Sequence, residues 1–339
     1  MSEVGAGEGG AWVERVGAPP AWPARDPRGH KGTFGTVGVV GGCCEGWTRM
    51  VGAPALAAIG ALRVGAGRAR IIAPEPIVPA ALAVAPSAVG IAVPTGPEGV
   101  VEPSAQAAAV DAALAACDAL VIGPGMGLSG ATSAGVLRAV QQEGVPVVVD
   151  ADALTALAAL PEPLRDFRAP AVLTPHPGEF RRLAAALGMS AEIRGDTERL
   201  AGAVDLARRL GCVVALKGAG TVVTDGHRAW VCGVADPVLA AAGTGDVLAG
   251  VIAGIAAQFV ALVEARPFPM PPVPMPPGRP LGLFEAACLG VAVHARAAEV
   301  WRARTGAAFG MLATELADAL PAAAESVRLA GATGSAGRA

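Results

Sequence analysis

The sequence predicts an α/β chain, a mainly parallel sheet layered between helices, and three observations lead there. From Thr36 onward, short β-branched runs alternate with longer alanine and leucine stretches, the rhythm of parallel strands joined by crossover helices. Glycine-rich turns follow several of the apolar runs, as at 123–127 and 218–220, where a buried strand ends and the chain turns back. The apolar share is 53% against a charged share of 16%, and much of the apolar content is alanine, which lets helices pack closely. At 339 residues, one large α/β unit absorbs most of the chain.

The elements follow in order. Residues 1–29 read as a flexible tail, with Glu3, Glu8, Glu14 and Asp26 among glycines and prolines and no continuous apolar stretch of the kind a secretory signal needs. Residues 30–329 form a single expected domain. Its first strand is 36–40, whose valines suit a buried pleated surface. A helix at 53–64 opens with Pro54 in its first turn, where the missing N–H leaves no bond unmade. Further strands are expected at 69–72, 119–122, 145–149, 171–173, 212–216, 221–224 and 228–231, each a short apolar run bounded by turn residues. Helices at 105–116, 133–142, 179–187 and 197–210 lie between them. Gln106 and Asp111 interrupt the alanines of 105–116, which argues against a membrane span. The stretches 245–257, 283–302 and 314–323 read as helical. Eight of the fifteen residues in 266–280 are proline, which excludes regular structure and predicts a loop insertion. The glycine-, alanine- and serine-rich 330–339 predicts a disordered tail.

Charge and cysteine usage narrow the function classes. With 26 basic and 29 acidic residues interspersed, the net charge of −3 offers no basic stripe for nucleic acid. The six cysteines have neither CxxC nor Cys/His spacing, so buried thiols in a reducing cytoplasm are expected rather than a zinc site or disulfide scaffold.

The strongest local signal is Gly243-Thr244-Gly245-Asp246, which opens an apolar helix. Such a start exposes backbone N–H groups, and glycine lets an anion reach them at the positive end of the helix dipole. Asp246 beside that anion hole suits a general base that takes a proton from a hydroxyl attacking phosphate. It equally suits a residue that merely favours a helix N-terminus, and both readings stand at this point. Lys217-Gly218-Ala219-Gly220-Thr221 leaves the carboxyl end of the 212–216 run, where nucleotides meet parallel sheets. There is neither a GxxxxGK[ST] loop nor a GxGxxG opening after the first strand.

Asp150 and Asp152 end another strand, where they could support Mg²⁺ through water or simply form a turn; no direct metal ligand is assigned. His176, between two prolines and before Glu179, could contact substrate or stabilise its own turn.

Seven motifs, namely His30-Lys31-Gly32-Thr33-Phe34-Gly35, Gly52-Ala53-Pro54, Gly123-Pro124-Gly125-Met126-Gly127, Asp150-Ala151-Asp152-Ala153-Leu154, Thr174-Pro175-His176-Pro177-Gly178-Glu179, Lys217 to Thr221 and Gly243 to Asp246, occur in one order. In that order the chain resembles the ADP-dependent (S)-NAD(P)H-hydrate dehydratases over roughly 30–323. The resemblance implies a ribokinase-like three-layer α/β/α sandwich, with ADP or ATP as phosphoryl donor, Mg²⁺, and the hydrated dinucleotide NAD(P)HX as substrate. It also implies a homo-oligomer, with a tetramer favoured. Ala53, Gly127, His176 and Asp246 match the family's substrate contacts, with Asp246 as catalytic base. Lys217, Gly218, Ala219, Gly220, Thr221 and Gly245 match its nucleotide contacts. The epimerase domain of fused members is expected to be absent, since little room precedes His30.

Three positions depart from the pattern: the stretch Cys43 to Val51 is longer than usual, Thr33 replaces an acidic residue and Thr155 an asparagine. A small-molecule kinase of the same superfold, acting on a hydroxymethylpyrimidine or hydroxyethylthiazole, and a non-catalytic nucleotide-binding regulator are the alternatives.

Overall fold

The computed structural model describes residues 13–262 and 280–336. Among these residues ten strands form one sheet: β1 (Glu14–Arg15), β2 (Thr36–Val40), β3 (Arg68–Pro74), β4 (Val89–Val93), β5 (Ala119–Ile122), β6 (Val147–Val149), β7 (Ala171–Leu173), β8 (Val213–Leu216), β9 (Val222–Thr224) and β10 (Arg228–Val231). Their order is β1-β10-β9-β8-β7-β6-β5-β2-β3-β4. All pairings are parallel except those of β9, which runs antiparallel to β8 and β10. Most of the joins are the crossovers that parallel neighbours require. The helices are α1 (Gly52–Arg63), α2 (Val78–Val84), α3 (Pro103–Ala116), α4 (Gly130–Val140), α5 (Asp152–Ala158), α6 (Pro163–Asp166), α7 (Pro177–Ala186), α8 (Asp196–Leu210), α9 (Thr244–Phe259), α10 (Leu283–Thr305) and α11 (Ala313–Ala336).

Strand side chains alternate between two cores, as the period of two demands. Val37 and Val39 enter one core and Val40 the other; Val148 is set against Val147 and Val149 in the same way. Helices α1, α2, α9, α10 and α11 supply the first core, and α3, α4, α5, α7 and α8 the second. The result is the expected three-layer α/β/α sandwich.

Helix α9 is the centre of the first layer, with Val247 through Phe259 all buried. It meets α1 backbone to backbone: a Cβ on Gly250 would fall 1.9 Å from the Ala57 carbonyl oxygen, and one on Gly60 2.5 Å from that of Val247. The alanine and glycine content seen in the sequence is thus what allows the two helices to touch.

Some expectations fail. Residues 13–29 are not a loose tail: β1 pairs with β10, the Trp22 ring meets Phe259 edge-on at 6.2 Å, and the Arg25 guanidinium lies 3.8 Å over Phe34. The C-terminal tail placed at 330–339 is helical through Ala336, because α11 continues past Leu329. Strand β4 and helices α2 and α5 were not anticipated; β4 sits at the sheet edge with Val89 and Ile91 exposed. The proline-rich stretch 266–280 lies, apart from Pro280, outside the described residues. Among the described residues no helix is long and apolar enough to cross a membrane.

Candidate functional site

The carboxyl ends of β2, β5, β6, β7 and β8 bring the sequence motifs together along one edge of the sheet, opposite the N-terminus of α9. This is where open parallel sheets bind ligands. After β6, Ala151 adopts φ 51°, an uncommon conformation for a residue with a side chain, between Asp150 and Asp152. The bend lets the two neighbouring carboxylates serve different partners. Asp150 accepts hydrogen bonds from Thr174 Oγ1 at 2.7 Å and Lys217 Nζ at 2.8 Å. Asp152 accepts from the Gly127 amide at 2.8 Å.

Lys217 leaves β8 and enters this acidic group rather than solvent. Its ammonium lies 2.8 Å from Asp150 and 3.9 Å from Glu179. Burial alone would lower its pKa, but Asp150 and Glu179 outweigh that and hold it above the ordinary lysine value. Glu179 is itself pushed up by burial, against the pull of Lys217.

Asp246 stands in the first turn of α9. Burial, and next the charge of Asp150, push its carboxyl up to about 7, with Lys217 opposing. Such a group can accept a proton near neutral pH, which a carboxylate of ordinary basicity does less well. The helix start is held firmly. Gly243 has φ 87°, and a Cβ there would meet Leu56 at 2.7 Å and Ala313 at 2.9 Å. Thr244 Oγ1 lies 2.8 Å from both the Leu239 and Ala241 carbonyls, and His294 Nε2 is 2.9 Å from the Thr244 carbonyl. Burial depresses the His294 pKa to about 4, so the ring is neutral at pH 7. Lys217 Nζ lies 3.4 Å from where a Cβ on Gly245 would stand, which puts the ammonium against the helix start.

Beside this start opens a cavity of about 400 Å³. Lys217, Gly218, Ala219, Thr221 and Gly245 are among the residues that line it, together with apolar side chains such as Val234, Leu239, Leu248 and Val291. A helix start and a glycine-rich loop sharing a cavity with apolar side chains form a lining that suits a nucleotide. Of the residues expected at the nucleotide, Gly220 belongs to the loop without lining the cavity.

The residues expected at the substrate divide. Gly127 and Ala53 flank the same turn: a Cβ on Gly125 would touch Met50 at 3.0 Å and Ala53 at 3.3 Å, while one on Gly127 would lie 3.7 Å from Cys43. Asp152, fixed by the Gly127 amide, is close enough to raise the Asp246 pKa, which links this wall to the base. His176 is exposed and caps α7. Its Nδ1 accepts from the Gly178 and Glu179 amides at 2.9 and 3.3 Å while Glu179 accepts from the His176 amide at 2.8 Å, a reciprocal capping box. The turn-stabilising role weighed for His176 is therefore present in full. The longer Cys43 to Val51 stretch forms a hairpin closed by a Cys43–Met50 bridge, with Arg49 donating to the Gly46 and Thr48 carbonyls and Trp47 fully exposed.

Sequence reasoning gave no role to His294 and did not place Thr174 on Asp150 or Glu179 beside Lys217. Only Glu179 carried a signal, three residues after the cap of a helix.

Comparison with known proteins follows the same lines. A family model for NAD(P)H-hydrate dehydratase matches residues 37–322. The bifunctional NAD(P)H-hydrate repair enzyme of Salinibacter ruber is 41% identical over 249 residues, covering 72% of this chain and 44% of that protein. The ADP-dependent (S)-NAD(P)H-hydrate dehydratase of Xanthomonas campestris is 35% identical over 302 residues, 89% of this chain and 92% of that protein. Among solved structures, the ADP/ATP-dependent NAD(P)H-hydrate dehydratase of Bacillus subtilis, co-crystallised with ATP and Mg²⁺, superimposes with a TM-score of 0.68 at 28% identity. That alignment covers 92% of this chain and 100% of that one. The chain spans about half the length of several curated relatives it matches, 44%, 51% and 53%. The fold is ribokinase-like.

Proposed function

The chain belongs to the NAD(P)H-hydrate dehydratase family, and on that footing we propose that it repairs NAD(P)HX by nucleotide-dependent dehydration. The observation that carries this reading is Asp246, a carboxyl raised to about 7, in the first turn of α9 next to Gly245, which lines the cavity together with Lys217, Gly218 and Thr221.

The hydrated ring bears a hydroxyl at C6 beside the ring nitrogen, and hydroxide is a poor leaving group. The bound nucleotide supplies a phosphoryl group that turns the hydroxyl into a good one. Asp246 takes the proton of the C6 hydroxyl as that hydroxyl oxygen bonds to the terminal phosphorus and the bond from phosphorus to the bridging oxygen breaks, so that ADP leaves as AMP or ATP as ADP. Lys217 and the amides at the start of α9 hold the charge that develops on the phosphoryl oxygens. The nitrogen lone pair then assists cleavage of the C6–O bond, phosphate departs, and loss of a proton from the neighbouring carbon restores the dihydropyridine. His176 and the Gly127 turn bind the substrate in this reading. The Lys217 to Thr221 loop and Gly245 bind the nucleotide, ADP or ATP.

Asp150, Asp152 and Glu179 all act on the charge of Asp246, with Lys217 opposing them, while among the described residues no group of three or more His, Cys, Asp or Glu side chains is placed to hold a metal ion by itself. This fits a cation that arrives with the phosphates and keeps most of its waters. Asp150 and Asp152 would hold Mg²⁺ through water, where it neutralises phosphate charge. Six free, buried cysteines support a reducing, cytoplasmic setting. Exposed Val89 and Ile91 on the β4 edge support assembly into a homo-oligomer, a tetramer in this proposal.

The test supplies hydrated NADH or NADPH with ADP or ATP and follows the return of dihydronicotinamide absorbance. Recovery that depends on nucleotide is the expected result. A stable phosphorylated product without recovery would assign a kinase instead.

A further inference from the structure

Arg199 lies in the first turn of α8, with its side chain 11% exposed, and runs behind the 218–221 loop without lining the cavity. Its Nη1 donates to the Ala219 carbonyl at 2.6 Å and its Nη2 to the Gly220 carbonyl at 3.2 Å. Glycine at 218 makes room for it, since a Cβ there would stand 2.7 Å from Nη2. In a trans peptide the N–H points opposite to the C=O. Holding the two carbonyls therefore turns the amides of Gly220 and Thr221 away from α8. Among the described residues neither amide donates to a protein acceptor.

Charge points the same way. Lys217 is offset by Asp150 and Glu179, whereas among the described residues the one acidic partner of Arg199 is a fully exposed Asp196 at 3.7 Å. The guanidinium thus leaves positive charge directly behind two free, consecutive amides, which is the make-up of an anion nest.

We propose that Arg199 is a positioning residue of the nucleotide site. It fixes the peptide planes after Ala219 and Gly220 so that the next two amides receive the phosphates of a nucleoside di- or triphosphate. The inference rests on the nucleotide-dependent reading above, and its test measures binding apart from turnover.

Calorimetric titration compares ADP with adenosine on the intact protein and on the Arg199→Met and Arg199→Lys variants, with folding checked by thermal melting. Arg199→Met weakens ADP binding by about tenfold, the scale of losing charge-assisted hydrogen bonds, and leaves adenosine binding unchanged. Arg199→Lys, which keeps the charge but not the two-pronged geometry, recovers part of the loss. In turnover, the nucleotide KM rises while the KM for the hydrated dinucleotide and kcat hold steady. Equal weakening of ADP and adenosine would mean a merely structural role and overturn the inference, as would unchanged ADP binding. If Arg199→Met does not fold, a several-fold loss confined to ADP in Arg199→Lys carries the decision, and its absence refutes it. Failure of the unaltered protein to bind either ligand would instead overturn the nucleotide reading, and this inference with it.

Discussion

Replacing Asp246 by asparagine keeps the outline of the side chain and removes its charge, so proton acceptance and an electrostatic cost to the fold disappear together. The folded protein holds this carboxyl at about 7 against an ordinary value of 3.8, chiefly through burial and then through Asp150. At about 1.4 kcal/mol per pH unit, that difference sets an upper limit of about 4 kcal/mol, and partial solvent contact reduces it to roughly 2–4 kcal/mol. The unfolded chain releases the proton near 3.8 and the folded protein only near 7. Wild-type stability therefore falls as pH rises through this window and levels off above it. Asp246→Asn lacks that dependence, so its advantage grows from near zero at about pH 4 to about 2–4 kcal/mol at about pH 8. Urea unfolding at both pH values measures the gap, since the other carboxylates titrate in both proteins. Turnover falls by about 10²–10⁴-fold, the worth of a positioned base, while nucleotide affinity changes little. A stability gap that ignores pH would show that the carboxyl is not perturbed. Near-full turnover would remove Asp246 from the base role.

Three further outcomes follow from the same contacts. His176→Ala costs about 1 kcal/mol through the lost α7 cap, whereas His176→Asn keeps an acceptor at that position; stability restored without restored substrate affinity would separate the ring's two roles in melting and KM measurements. His294, held at about 4 in the fold against 6.5 when free, favours the unfolded chain as pH falls from 6.5 towards 4. His294→Gln should lose up to about 3 kcal/mol of that acid sensitivity in urea titrations at pH 7 and 4. Lys217→Met leaves the buried Asp150 without its cation and is expected to cost about 3–5 kcal/mol by chemical unfolding. In the same variant the pH at which the residual activity rises should move upward, because Lys217 opposes the rise of both Asp246 and Glu179.

Much of the architecture was readable along the chain because buried strands write their own boundaries. The runs ending in Val40, Ile122, Val149, Leu173 and Leu216 all occur as strands at the expected carboxyl ends. Strand β4 escaped because an edge strand with exposed Val89 and Ile91 lacks the continuous buried pattern, and β1 because two residues carry no periodicity at all. At the site, glycine spacing announced the helix start at Asp246, since an anion-binding turn constrains local sequence. It could not announce that Lys217 turns towards Asp150, 67 residues away, because that pairing depends on which strands lie side by side. The same holds for His294 and the Thr244 carbonyl, which only the packing of α10 against α9 brings together. His176 shows the opposite case. Glu179 three residues on was a readable capping signal, and the cap is what the structure contains.

The contact between α1 and α9 reaches beyond packing. Ala53 lies in the first turn of one of these helices and Asp246 in the first turn of the other, and Gly60, Gly250 and Gly254 let the two rods meet backbone to backbone along their shared length. A single added methyl group at Gly250, well inside the layer and away from the cavity lining, must be absorbed by sliding one rod along or away from the other, and the displacement emerges at Asp246. In a survey of random substitutions, these interior glycines should score as loss-of-activity positions while the protein still accumulates in the cell, a pattern ordinarily taken to mark residues that touch a ligand.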